Sequence, residues 1–219
     1  MLLLTFFGIV SVLATFALYS AGLTTCSKIK KQKNTDGISP FPFIFGLLCA
    51  AINFEYGIYK DDKSIICTNV FGIICQSSYV VLYIFFSMQK KQLLKMTGLT
   101  LMIIGLISLY VFHIKQQNEY LAIQYLGISS CTLALIFFAS PLASVLTVFK
   151  EKSVKSMSFT FSMVASLVSL SWTIYGTLIS DPYIQIPNFC GFLISMFQLY
   201  LFYHFKELPK SKNIEYNIL

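Results

Sequence analysis

Residues 53–72 read NFEYGIYKDDKSIICTNVFG, and residues 172–191 read WTIYGTLISDPYIQIPNFCG. Laid over one another at an offset of 119, Tyr56-Gly57 falls on Tyr175-Gly176, Asp62 on Asp181, Asn69 on Asn188 and Gly72 on Gly191. The coincidences are polar residues and glycines, which an apolar chain uses sparingly, rather than its abundant leucines. The same offset holds further out. Lys31 and Lys33 meet Lys150 and Lys152, Ser39 meets Ser158, and Leu23 meets Leu142; from 22 to 83, 12 of 62 positions are identical without a gap. Composition alone gives about a third of that agreement. A repeat takes precedence over any single motif, and this chain carries two copies of one unit.

The surroundings of the repeat say what kind of unit it is. Of 219 residues, 56% are hydrophobic and only 11% charged, less than half the usual charge of about 25% in a soluble domain. Disorder requires the opposite balance. The net charge of +7 comes entirely from lysine, there being no arginine, and those lysines stand in small clusters between apolar runs. Nucleic-acid binding needs them gathered on one soluble face, so that class is excluded. The uncharged stretches are 1–27, 37–54, 64–89, 96–114, 120–149, 156–180 and 182–205. A membrane helix needs about 20 apolar residues, and the second stretch attains that by running from Phe41 past Glu55 to about Tyr59. The short alternating strands of a membrane β-barrel are missing. Seven transmembrane helices are predicted.

The loops orient them. Lysines 28, 30, 31, 33, 90, 91, 95, 150, 152, 155, 206, 210 and 212 follow the odd-numbered spans, whereas only Lys60, Lys63 and Lys115 lie on the other side, beside Glu55, Asp61, Asp62, Glu119 and Asp181. Lysine-rich loops stay in the cytoplasm, which puts the N-terminus outside and the tail inside. The first span has no basic flank and is too long for a signal-peptide core, so it is expected to remain. The cysteines show no metal-ligand spacing; they read as small packing residues, and no metal, cofactor or enzymatic activity is expected.

Three spans plus one linker helix return the chain to its starting side, so both copies share one orientation. Parallel repeats of this kind are an architecture of transporters. Asn69 and Asn188 lie several residues inside spans 3 and 7, where a polar side chain needs a protein partner or a wet cavity. One amide suggests helix bonding; a symmetric pair suggests binding of a hydroxyl-rich neutral ligand. Trp172, the only tryptophan, offers an indole face for a sugar ring, with an interfacial position as its competing reading. Its repeat partner is Asn53; Cys49 and Val168 lie one turn earlier and would line the same space. No charged residue stands in the middle of any span, which argues against ion coupling. Pro42, Pro141 and Gly22, the repeat equivalent of Pro141, read as flexible points near one membrane face. For Pro42 an ordinary helix start is the competing reading.

The runs Ala139-Ser140-Pro141-Leu142, Lys152-Ser153-Val154, Trp172-x-x-Tyr175-Gly176, Asp181-Pro182 and Ile186-Pro187-Asn188-x-x-Gly191 resemble the SWEET sugar transporters. Asn34-Thr35-Asp36-Gly37, Tyr56-Gly57 and Asn69-x-x-Gly72 echo them in the first half. The resemblance covers about residues 5–205 and is nearest the animal branch. It implies that Asn69 and Asn188 hydrogen-bond a sugar, that Trp172 stacks on it, and that Asn53 widens the pocket. It implies an inner hinge of four prolines, of which Pro42 and Pro141 remain while Gly22 and Ser158 occupy the other two places. Tyr56 and Asp181 match an outer gate pair.

The expected fold is all-α, in a 3+1+3 plan. Residues 1–89 form the first bundle, 90–119 the linker helix with its loops, 120–205 the second bundle and 206–219 a cytoplasmic tail. The resemblance further implies uncoupled, bidirectional carriage of mono- or disaccharides, a glucose-like monosaccharide foremost, and assembly into trimers in the lipid bilayer. The tail carries no retention signal. The plasma membrane is favoured, with the Golgi or another internal membrane open. A PQ-loop carrier shares the two-bundle plan, but neither Pro42 nor Pro141 precedes a glutamine. A seven-helix receptor shares the topology but has no need of a parallel repeat.

Overall fold

In a computed structural model, residues 2–155 and 157–205 are described. They form α1 (Leu2–Ser20), α2 (Gly22–Gln32), α3 (Phe41–Lys60), α4 (Lys63–Phe86), α5 (Lys90–Lys115), α6 (Glu119–Phe137), α7 (Ala139–Glu151), α8 (Phe159–Leu178) and α9 (Pro182–His204). By length and composition these make seven candidate membrane helices, because α1–α2 and α6–α7 each run on as one span, Leu2–Gln32 and Glu119–Glu151. The tail expected at 206–219 lies outside the described residues.

The first N–H groups of a helix have no partner within it, and the chain supplies its own. Asp62 caps α4 by accepting from the Ser64 and Ile65 backbone N–H groups, and Asp181 caps α9 by accepting from that of Tyr183. The backbone itself repeats. The non-glycine residues with positive φ among those described are Lys33 and Lys152, at 55° and 50°, and Asp61 and Ser180, at 51° and 54°. Both pairs stand 119 residues apart, the same offset as the sequence repeat.

The first and fifth spans, read above as single helices, are each broken, at Ala21 and at Phe138. Pro141 leaves the Phe137 carbonyl without its helical donor. At the break in the first copy Gly22 takes the place of a proline; its Cα lies so close to the Tyr79 ring that a Cβ would overlap it. The aromatic beside each break is received by a glycine. A Cβ on Gly72 would come within 2.7 Å of the Tyr19 ring, and one on Gly191 would overlap Phe138, its repeat equivalent. A polar side chain then braces each bend: Tyr79 Oη donates to the Tyr19 carbonyl at 3.0 Å, and Gln198 Nε2 to that of Pro141 at 3.2 Å. Tyr79 and Gln198 are themselves 119 apart.

The helices close into a ring in which α1 packs on α4, α4 on α3, α3 on α6, α6 on α9, α9 on α8 and α8 on α1. Helix α5 lies outside this ring, mainly against α3 and α6. It is fastened by Ser108 Oγ, which donates to the Glu55 carboxylate at 2.7 Å, and by the Lys115 ammonium, 4.4 Å from the Tyr59 ring centre. In lipid, where apolar burial gives no drive for helices to associate, close backbone approach does much of the holding. Between α8 and α9 the backbones come close at Gly176, where a Cβ would stand 2.8 Å from the Gln185 nitrogen. Backbone cannot step aside as a side chain does. Gly176→Ala is therefore expected to cost about 1–3 kcal/mol, seen as a lowered thermal midpoint in detergent and reduced membrane yield. Wild-type stability in that variant would show that the α8–α9 contact is looser than described.

The buried apolar groups are unevenly shared. One cluster joins both halves of the repeat: Leu48, Ile52, Tyr56 and Ile65 pack with Leu126, Val168, Trp172, Tyr175 and Ile184. Toward the lysine-rich end the core divides in two. Cys26, Ile29, Phe43 and Tyr79 belong to one cluster, and Val145, Val148 and Leu201 to another. Among the described residues, α2 packs only on α1 and α4, and α7 only on α6 and α9. The protein is joined at its acidic end and split at its lysine-rich end.

Candidate functional site

At the acidic end two aspartates serve two purposes each. As caps they end the α3–α4 and α8–α9 turns with one carboxylate oxygen, which leaves the other free to reach across. Tyr56 Oη donates to Asp181 Oδ2 at 2.6 Å, and Tyr175 Oη to Asp62 Oδ2 at 2.7 Å. Each bond runs from one copy of the repeat to the other, and the two bonds are repeat equivalents. They are not equal in surroundings: Asp181 is fully buried and also lies 3.4 Å from the Lys60 ammonium. Tyr56 and Asp181 were expected as partners; the reciprocal pair Asp62 and Tyr175 was visible at the same offset but not assigned a role.

One helical turn deeper lie the residues expected to meet a ligand. Trp172 is buried, its edge against Tyr175, and its indole N–H donates to Thr15 Oγ1 on α1 at 2.8 Å. Asn53, in the equivalent place on α3, donates to the Cys49 carbonyl at 2.9 Å and accepts from Ser130 Oγ on α6 at 2.7 Å. Cys49 is half-buried and Val168 buried within the shared cluster. Thr15 and Ser130 were missed in the sequence, where Ser130 coincides with Ser11 at the repeat offset but Thr15 falls on Ala134.

Asn69 and Asn188 adopt one geometry. Each donates a single amide hydrogen to the carbonyl four residues back, Ile65 or Ile184, at 2.8 Å. Asn69 is buried and Asn188 half-buried. That bond pins the side chain along its helix and leaves one N–H and the carbonyl oxygen for another partner. Two pinned amides on α4 and α9, beneath a closed rim, can present donors and acceptors to hydroxyl groups without meeting a charge.

The four residues expected at the hinge occupy different kinds of position. Pro141 stands in the first turn of α7 just past the Phe138 break, and Gly22 begins α2. Pro42, however, lies in the first turn of α3, where a missing N–H removes no helical bond. This is the helix-start position that was the competing reading for Pro42. Ser158 is the N-cap of α8, its hydroxyl accepting from the Phe161 N–H at 3.3 Å; it starts a helix rather than bending one.

A family model described as "Sugar efflux transporter for intercellular exchange" matches the chain twice, over residues 5–91 and 124–210, again 119 apart. The chain belongs to this family, the SWEET sugar transporters. Sugar transporter SWEET1 of Drosophila pseudoobscura pseudoobscura is 35% identical over 88% of this chain and 85% of its own length. SWEET1 of Rattus norvegicus is 29% identical, covering 98% of this chain and 96% of its own. Bidirectional sugar transporter SWEET10 of Arabidopsis thaliana is 30% identical over 97% of this chain and 74% of its own. A solved structure of a eukaryotic SWEET transporter superposes with a TM-score of 0.86, at 27% identity over 93% of this chain and 96% of that one. As a SWEET protein the chain is an integral, multi-pass sugar transporter and not an enzyme.

Proposed function

We propose that this chain carries a glucose-like monosaccharide across the plasma membrane in either direction, without ion coupling, by alternating exposure of a site between two halves. The observation that carries the reading is the pair of pinned amides, Asn69 and Asn188, lying beneath the reciprocal Tyr–Asp bonds. The halves are residues 1–89 and 120–205, with 90–119 as the linker. The ring order supports that division, since α1, α4 and α3 follow one another, as do α6, α9 and α8, while α5 stands outside.

With the lysine-rich loops in the cytoplasm, the N-terminus is outside, the joined end faces outward and the split end inward. The sugar enters or leaves between α2 and α7 in this conformation. Asn69 and Asn188 take its hydroxyls, Trp172 stacks on its apolar face, and Asn53, Cys49 and Val168 shape the wall. Opening outward breaks the Tyr–Asp bonds while α2 and α7 swing together about the bends beside Gly22 and Pro141. No step moves a net charge through the bilayer. A plasma-membrane location agrees with the family's description in terms of intercellular exchange.

The test is a substrate panel in proteoliposomes containing the full chain. Labelled glucose is expected to enter saturably, fructose and sucrose more slowly, and an amino acid such as leucine not at all. Leucine flux in the absence of sugar flux would replace this reading with a PQ-loop carrier of another solute.

A further inference from the structure

The rim pairs are one tier of a deeper join. Asn53 lies three residues before Tyr56 and Trp172 three before Tyr175, so each points from its helix about one turn beneath a gate tyrosine. Both make hydrogen bonds that cross between the halves, Asn53 with Ser130 at 2.7 Å and Trp172 with Thr15 at 2.8 Å. Ser130 and Thr15 are buried, 4% and 8% exposed. The repeat equivalent of Ser130 is Ser11, a buried hydroxyl on α1 that has no hydrogen-bond partner among the described residues. An indole in place of an amide directs its N–H elsewhere, to Thr15 one turn further along α1, and Ser11 is left over. The chemistry differs between the two flanks, yet a cross-half bond is present on both.

We propose that Ser130 and Thr15 are positioning residues for transport: they bond Asn53 and Trp172 in the empty carrier, and a bound sugar takes over those bonds. The proposal rests on the sugar-carrier reading above. Opening outward breaks both tiers. At the rim, water replaces the lost partners. One turn deeper, an amide and an indole separated from their hydroxyls stand in a dry seam, where an unmade bond is costly. A sugar brings hydroxyls that both donate and accept, so the loaded carrier opens with those groups satisfied and the empty carrier does not. Return of the empty carrier is then the slow step, and exchange of sugar for sugar runs faster than net efflux.

The measurement is labelled-glucose efflux from proteoliposomes, with equal glucose outside or with none. Wild type is expected to show exchange faster than net efflux. Ser130→Ala speeds the empty return and lowers that ratio by about three- to tenfold, the equilibrium effect of one hydrogen bond. Ser130→Thr keeps the hydroxyl and the ratio; Ser11→Ala leaves the ratio unchanged. A second readout needs no sugar: spin labels at positions 63 and 180, across the acidic end, should show a larger separated population in Ser130→Ala. Equal slowing of exchange and net efflux, or unchanged label distances, would overturn the proposal. Absence of sugar flux in wild type, with the labels still shifting, would instead overturn the sugar reading and leave the join standing.

Discussion

Asn188→Ala abolishes sugar flux, a fall of at least about a hundredfold, while the protein still inserts and reaches the membrane. The two expectations separate because the amide has two different partners. Its bond to the Ile184 carbonyl, at 2.8 Å, is internal to α9, and such bonds in membrane helices contribute about 1 kcal/mol or less. In the proposed function its remaining donor and acceptor meet a sugar whose hydroxyls have left water. A site built to hydrogen-bond a hydroxyl loses several orders of magnitude in discrimination when the bond goes unmade. Asn69 has the same geometry, so Asn69→Ala should lose as much, and Trp172→Ala nearly as much through the lost stacking face. Counterflow of labelled glucose, normalised to surface-labelled protein, measures all three. Normal flux in both asparagine variants would remove the pocket assignment.

Asp181→Ala is expected to be the most damaging change at the rim. The carboxylate is fully buried, receives the Tyr56 hydroxyl at 2.6 Å and the Tyr183 N–H at 3.0 Å, and neighbours the Lys60 ammonium at 3.4 Å. Removing it leaves the buried Tyr56 hydroxyl without its acceptor, at about 1–3 kcal/mol, and loss of the α9 cap adds about 1, while the Lys60 ammonium, 33% exposed, stays solvated. The joined conformation bears that cost, because only there does Asp181 bind Tyr56. The carrier should remain open outward, with flux reduced more than about tenfold and the spin-label distance at 63 and 180 lengthened. Asp181→Asn keeps an acceptor for the cap and should fall between. Asp62→Ala should do less, since Asp62 is half-buried and no lysine among the described residues is paired with it. An Asp62 variant more damaging than the Asp181 variant would contradict this account of the rim.

The spans were readable because lipid imposes length and charge rules on sequence, and the repeat because polar residues in lipid are rare enough to align. The breaks in spans 1 and 5 were less so. Gly22 and Pro141 marked weak points, but that each bend is stabilised from a neighbouring helix, by Tyr79 and Gln198 with Gly72 and Gly191 receiving the aromatic rings, is a matter of packing. Pro42 and Ser158 carry residue types that suit a hinge and a helix start equally, and only the backbone tells which. Thr15 falls on Ala134 at the repeat offset and had no signal, and Ser130 had only its coincidence with Ser11. Hydroxyls in apolar helices commonly satisfy themselves on the carbonyl one turn back, as Ser20, Ser78, Thr173 and Thr177 do here. Thr15 does the same, donating to the Ser11 carbonyl at 2.7 Å while it accepts from Trp172, and of the two only Ser130 donates across.

Uncoupled carriage of sugar is the central claim, and its most direct test is where the flux stops. Proteoliposomes holding the full chain are incubated with labelled glucose, with and without an imposed pH gradient, until uptake ends. A pocket whose proposed residues include no carboxylate, lysine or histidine predicts equal glucose concentrations inside and out in both cases. Accumulation of glucose above the external concentration when the pH gradient is present would contradict it.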